Sequence, residues 1–372
     1  MEVTTVGNQT AATDVGAEAL ATRLFTAALG TMDLLHVYVG QKLGLYRLMV
    51  GADAFTPADL AASAGMHPRY AREWLEQQAV TGILLVEDSM DPPDQRRYRL
   101  PAGHAEALTS EESMSYLAPV AGMLVSIAQR MPELLDAYRS GRGVEWAAYG
   151  PDMWQGQAAV NRPLFVNKLG QEYLPSIPEV DAILRRPGTR AADLACGGGW
   201  SSIAIARAYP GVAVDGYDQD TSSIEQATSA ADDAGLSDRV RFHVGDAAAM
   251  SAAERAYDMV TIFEALHDVP DPVGMLTASL RMLRAGGLLL VMDERVADEL
   301  TAPGDDVERF MYGWSLTVCL PCGMSEQPSA ATGTVMRRST LEGYAREAGF
   351  KAVDVLPIDN DFFRFYLIRP RD

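Results

Sequence analysis

Apolar residues recur every three to four positions between residues 17 and 50, in AEALATRLFTAALG and MDLLHVYVGQKLGLYRLM, and this period predicts two helices. FTPADLAASAG predicts a short helix with Thr56 as N-cap, Pro57 in the first turn and Gly65 closing it. HPRYAREWLEQQAVTG predicts another behind His67 and Pro68. The β-prone runs ILLVE and RRYRL, joined by the polar turn DSMDPPDQ, complete a helix, turn, helix and wing: a winged-helix pattern. Residues 111 to 187 read as mainly helical, interrupted at Gly141, Gly143 and Gly150. After Gly188 the period changes. RAADLAC, VAVDGYD, VRFHVGD, YDMVTIFE, GLLLVMDE, KAVDVLPI and FFRFYLI read as strands, with a helix after each of the first five. Alternation of this kind predicts an α/β fold with a doubly wound seven-stranded sheet, whose last two strands form an antiparallel hairpin at one edge.

A chain of 372 residues exceeds one ordinary core. The pattern divides it into a loose tail over 1–15, a winged-helix dimerisation domain over 16–110, a helical connector and substrate lid over 111–177, and the α/β domain over 178–372. The formal charge of -19 predicts a soluble protein repelled by phosphate backbones and anionic lipid. Residues 1–110 hold 8 Lys plus Arg against 13 Asp plus Glu, and Arg69 and Arg72 of the second winged-helix helix are balanced by Glu73 and Glu76. A recognition helix without net charge is poorly equipped for DNA, so no nucleic-acid partner is expected. No apolar run of eighteen residues and no signal peptide is visible, which predicts a cytoplasmic protein without a membrane partner. The three cysteines form no disulfide framework. Cys319 and Cys322 make the pair CLPC, but zinc needs two more ligands and the chain has no second close pair of Cys or His. With no cluster of three oxygen ligands evident either, no metal is expected.

The candidate chemistry lies at the carboxyl ends of the predicted strands. In DLACGGGWSSIAIA, the glycines at 197, 198 and 199 fall between a strand and a helix, where backbone N–H groups can approach a ligand. Alone, such a loop says only that a nucleotide-like cofactor binds. Three acids sharpen it: Asp193 before the glycines, Asp218 ending the second strand and Asp246 ending the third. A dinucleotide dehydrogenase also pairs a glycine loop with an acid about twenty residues on. Against it, the third glycine of that fingerprint is Ser202 here, and nothing in the fingerprint calls for Asp193 or the closing hairpin.

From about residue 178 onward the chain resembles the class I S-adenosylmethionine-dependent methyltransferases. The resemblance implies S-adenosylmethionine as cofactor, with Asp193, Ala195, Gly197 and Gly199 at its methionine part, Asp218 at the ribose, Asp246 and Ala247 at the adenine, and Gln219 and Phe263 also among the cofactor-binding residues. Ala195 stands where the family's loop usually has its first glycine. The winged helix, the connector and the segment LHDVPD together resemble a narrower group, the winged-helix small-molecule O-methyltransferases of plants and bacterial natural-product pathways. That resemblance makes His267 the general base and places its supporting carboxylates at Asp293 and Glu294. Val269 replaces the tryptophan usual there, and TVMRRST lacks the second supporting acid, so a base with one acidic partner is expected. It also implies a homodimer.

A base is physically reasonable. A phenol of pKa near 10 costs roughly 4 kcal/mol to ionise at neutral pH, and general-base catalysis of about 10²–10⁴ is of that size. A carbon or amine nucleophile needs less. Asp271 and Pro272 are explained as the start of the next helix, whereas His267 is not. Trp200, Asn161, Phe165, Arg309 and Tyr312 are the candidate substrate contacts. The Met-rich, apolar surroundings predict an aromatic or lipophilic acceptor. The alternatives are C- or N-methylation on the same fold, and a winged-helix regulator that senses the cofactor.

Overall fold

A computed structural model describes residues 16–245 and 255–371. Two compact units divide after Val125, inside the helix Pro119–Gln129. Residues 126–177 therefore group with the α/β unit.

In the first unit, the two helices expected over 17–50 are instead one long helix, Ala17–Lys42, followed by a single turn, Leu45–Met49. Gly30 does not interrupt the long helix, because a glycine costs only about 1 kcal/mol relative to alanine there. The break comes at Gly44, which adopts φ +67. Helix Pro57–Ala64 has Thr56 and Asp59 in a reciprocal capping box and ends on left-handed Gly65, as the sequence predicts. Helix Pro68–Val80 follows His67, whose ring caps Arg69. The wing is small: β1 (Leu85–Val86) pairs antiparallel with β2 (Tyr98–Arg99). Trp74, Leu75, Tyr46, Leu60 and Tyr98 form the core of this unit.

The second unit is built on β3 (Arg190–Leu194), β4 (Ala213–Asp218), β5 (Val240–Val244), β6 (Tyr257–Phe263), β7 (Leu283–Glu294), β8 (Ala352–Val355) and β9 (Phe363–Arg369). They correspond to the seven predicted strands. Their order is β5-β4-β3-β6-β7-β9-β8, with β9 antiparallel to both neighbours and the other pairs parallel. Central strands are apolar on both faces, as a sheet covered by helices requires. Helices follow β3, β4, β6 and β7 at Trp200–Ala208, Thr221–Asp233, Pro272–Met282 and Asp306–Trp314. The helix expected after β5 falls outside the described residues. Strand order reverses between β3 and β6, and the crevice beyond their carboxyl ends is where such a sheet receives a ligand.

Candidate active site

The two strands flanking that crevice end alike. Ala195 just beyond β3 has φ 54, and Glu264 just beyond β6 has φ 53, both left-handed although neither is glycine. Such backbone costs of order 1–3 kcal/mol and persists where its surroundings fix it. Here the Glu264 N–H donates to the Met292 carbonyl at 2.8 Å.

Asp193 is 1% exposed. Its Oδ2 accepts from the hydroxyls of Ser201 (2.5 Å) and Ser202 (2.7 Å), and its Oδ1 from Thr261 (2.7 Å). Burial pushes this carboxyl above its ordinary range while the three donors pull it back. All of these partners are protein groups, so Asp193 ties the first turn of helix Trp200–Ala208 to the sheet. Asp218 at the end of β4 accepts from the Gly197 N–H at 2.8 Å and the Asp220 N–H at 2.9 Å. Gln219 beside it is exposed. Gly197 has φ +50 with open space where a Cβ would stand, whereas a Cβ on Gly199 (φ +76) would strike Phe242 and Ala227. One glycine thus leaves room for a ligand and the other lets the loop pack. Phe263 is buried, its ring 5.9 Å from that of Phe165. Asp246 and Ala247 lie outside the described residues.

His267 is buried between β6 and the helix Pro272–Met282, at 1% exposure. Its Nδ1 lies 2.8 Å from Asp293 Oδ1 and 2.9 Å from Glu294 Oε2, and its Nε2 lies 3.1 Å from Asp268 Oδ1. The expected single acidic partner is corrected to three. Adjacent Asp293 and Glu294 reach one nitrogen because β7 ends there, and Asp268 follows the histidine directly. Segment 330–336, lacking an acid, supplies backbone instead, with the Gly333 N–H donating to the His267 carbonyl at 3.1 Å. Burial favours the neutral imidazole, but Asp268, Glu294 and Asp293 outweigh it and hold the ring's pKa well above the usual histidine value. Burial would also raise Asp293, but the imidazolium holds it below the usual range, while burial drives Glu294 well up.

Glu264 is the residue that sequence reading missed. Burial pushes its carboxyl up to about 8. Gln157 Nε2 donates to its Oε2 at 3.3 Å, Asn161 also bonds it, and Oε1 is buried with no partner among the described residues. An acid at the carboxyl end of a strand is the same signal that marked Asp193, Asp218 and Asp246.

The expected substrate contacts separate into two sets. Asn161 and Phe165 reach the crevice through Glu264 and Phe263, and Trp200 lies under the Arg162 guanidinium at 4.2 Å. Arg309 is solvent-exposed and pairs with Asp306. Tyr312 meets Arg337 at 3.3 Å, in a clamp that also holds buried Glu308 at 3.0 Å. The Arg337 contacts tie the helix Asp306–Trp314 to the segment before helix Arg338–Glu347, whereas the Arg309 pair lies within the helix.

Comparison with known proteins agrees with this geometry. Residues 185–328 match a family model described as "Methyltransferase domain", and residues 30–110 one described as "Rv2258c-like winged HTH domain". The chain thus carries a methyltransferase domain and a winged-helix domain, on a fold similar to that of the class I S-adenosylmethionine-dependent methyltransferases. Among individual relatives, 27-O-demethylrifamycin SV methyltransferase of Amycolatopsis mediterranei is 32% identical over 124 residues, 33% of this chain and 45% of that one. The chain thus spans less than half the length of the first curated relatives it matches. Two solved structures share the fold over nearly the whole chain. Mitomycin 7-O-methyltransferase MmcR has a TM-score of 0.69 at 19% identity, covering 95% of this chain and 99% of that one. Human N-acetylserotonin methyltransferase, solved in complex with SAM, has a TM-score of 0.67 at 18% identity, covering 94% and 97%.

Proposed function

We propose that the protein transfers a methyl group from S-adenosylmethionine to a hydroxyl oxygen of a small aromatic or lipophilic molecule, with His267 receiving the hydroxyl proton. The observation that carries this reading is His267 itself, buried beside the cofactor crevice with Nδ1 held by a carboxylate from the neighbouring strand. The crevice fits the cofactor: the open cradle at Gly197 precedes a nine-residue helix, and Asp218 stands at the end of β4. When bound there, S-adenosylmethionine supplies a methyl group on a positively charged sulfur, which leaves as a neutral thioether.

The chain's own residues then do three things. Gly197, Gly199 and Asp218, with Asp246 and Ala247 beyond the described span, hold the cofactor. Asp293 and Glu294 fix the imidazole through Nδ1, so that Nε2 is the nitrogen left to take a proton once Asp268 yields to the acceptor. Phe165, Phe263 and Trp200 give the acceptor apolar walls, and Asn161 a polar group beside them. Relatives named as O-methyltransferases include 27-O-demethylrifamycin SV methyltransferase, and Mitomycin 7-O-methyltransferase MmcR shares the fold. Those support oxygen as the acceptor.

One observation favours the runner-up. The three carboxylates around His267 raise its pKa well above the usual histidine value, which favours the imidazolium, and an imidazolium is no base. An amine or activated carbon acceptor needs only positioning, so N- or C-methylation is the second reading. A cofactor-sensing regulator is the third, opposed by the pairing of Arg69 with Glu73, Arg72 with Asp94 and Arg96 with Glu76 across the recognition helix and wing. The long N-terminal helix leaves Leu20, Leu24, Phe25, Leu29, Met32 and Leu35 exposed, which supports a homodimer. Among the described residues no helix is long and apolar enough to cross a membrane. Calorimetric titration of the purified chain with S-adenosylmethionine tests the reading. Micromolar binding is expected, and its absence rejects the enzyme class.

A further inference from the structure

Sequence alone leaves CLPC without the further ligands a metal site needs. The fold brings two of them to Cys319. Cys319 closes a π-helical segment, Ser315–Cys319, and Cys322 lies three residues on, on the same helical face. This turn is pressed onto the His267 loop at close range. A Cβ on Gly323 would meet the Asp268 carbonyl at 3.1 Å, so glycine is what lets the turn approach. On its other side Gly143 packs so tightly against residues 321–325 that a side chain would overlap their backbone, and the Val144 N–H donates to the Pro321 carbonyl at 3.0 Å.

The outcome is that one ligand atom each from His267, Asp268 and Cys319 lie within 4.8 Å of one another. His267 Nε2 and Asp268 Oδ1 are already 3.1 Å apart. Tetrahedral zinc with bonds of about 2.0–2.3 Å needs ligand separations of about 3.3–3.6 Å, a change of around an ångström or less. Asp268 Oδ1 is a buried atom whose contact with His267 Nε2 does not have hydrogen-bond geometry, so its charge is poorly met as it stands. His267 Nδ1, meanwhile, is fixed by Asp293, the arrangement in which a metal-bound imidazole has its second nitrogen held by a carboxylate.

We propose that Cys319, His267 and Asp268 bind a thiophilic divalent cation such as Zn²⁺, with solvent completing its coordination. Borderline-soft zinc suits this mixed sulfur, nitrogen and oxygen set better than magnesium does. On binding, the Cys319 thiol proton and one imidazole proton are released to solvent, since only thiolate and neutral imidazole ligate. The cation occupies Nε2, the nitrogen that the proposed reaction leaves for the acceptor. That consequence rests on the role proposed for His267, whereas the site itself does not.

The test uses the chelator-treated full chain titrated with Co²⁺ and followed by absorption. One equivalent is expected to bind with visible d–d bands and a near-ultraviolet thiolate-to-cobalt band, both bleached by Zn²⁺. Cys319→Ser, folded by circular dichroism, should lose the thiolate band, and Asp268→Asn should weaken uptake at least about tenfold. No cobalt bands in the wild type, or a thiolate band that persists in folded Cys319→Ser, overturns the site. Calorimetry with S-adenosylmethionine on the same sample separates the two proposals. A chain that binds the cofactor but no cobalt sinks the metal site alone, and the reverse sinks the methyltransferase reading alone.

Discussion

Nδ1 of His267 and Oδ1 of Asp293 stand 2.8 Å apart across 26 residues of sequence, a contact made by the ends of two adjacent strands. It fixes which imidazole nitrogen is left for chemistry. His267→Ala is expected to leave cofactor affinity unchanged and to lower turnover by about 10² or more. Single-turnover kinetics beside calorimetry checks this, and unchanged turnover removes the histidine from the mechanism.

Asp193 serves the loop through three hydroxyl donors. Asp193→Ala orphans all three in a dry environment and is expected to lower unfolding free energy by about 3 kcal/mol or more. Urea denaturation measures it. A loss of cofactor binding with unchanged stability would instead mean that Asp193 touches the ligand.

The two loop glycines should respond differently. Gly199→Ala meets both a left-handed φ and the Phe242 ring, so it is expected to cost several kcal/mol and abolish cofactor binding. Gly197→Ala has the φ penalty without the clash and should cost about 1 kcal/mol. Thermal melts with and without cofactor rank them, and equal losses would contradict the packing described for Phe242.

Glu264 predicts a pH dependence of stability. Its carboxyl titrates near 8 when folded against an ordinary 4.5, so between those values the folded state holds a proton that the unfolded chain has lost. Its contribution is fully present below about pH 4.5 and is lost as pH rises towards 8. Glu264→Gln should flatten that decline and raise stability at pH 8. Parallel wild-type and variant curves in chemical denaturation would show that the carboxyl is ionised throughout.

Much of this was legible before folding. The seven strands follow from apolar runs bounded by turn residues, and the Thr56 and Asp271 caps from short-range chemistry that needs no tertiary context. The site was half legible. Strand-end acids pointed to the crevice and LHD to His267, but the number of carboxylates around the ring depends on how β7 ends and how residue 268 turns, which no period encodes. Arg309 and Tyr312 were expected at the pocket because their helical segment would cover it, and the fold gives them Asp306 and Arg337 as partners, which no sequence period encodes. The neighbours of CLPC were out of reach for the same reason: 51 positions separate His267 from Cys319, and the glycine that brings them together is one among 32.

Strand β9 lies between β7 and β8 although it follows both in the chain. During synthesis, the edge of β7 that carries Asp293 and Glu294 therefore stays unpaired until residues 363–369 emerge, and β8 has no neighbour to join before then. A nascent chain of about 360 residues already contains every side chain of the His267 cluster, yet exposes a twelve-residue apolar strand to other unfinished chains. Ordering of the strand end that carries Asp293 and Glu294 and protection from edge-to-edge aggregation are thus a single event, the docking of β9.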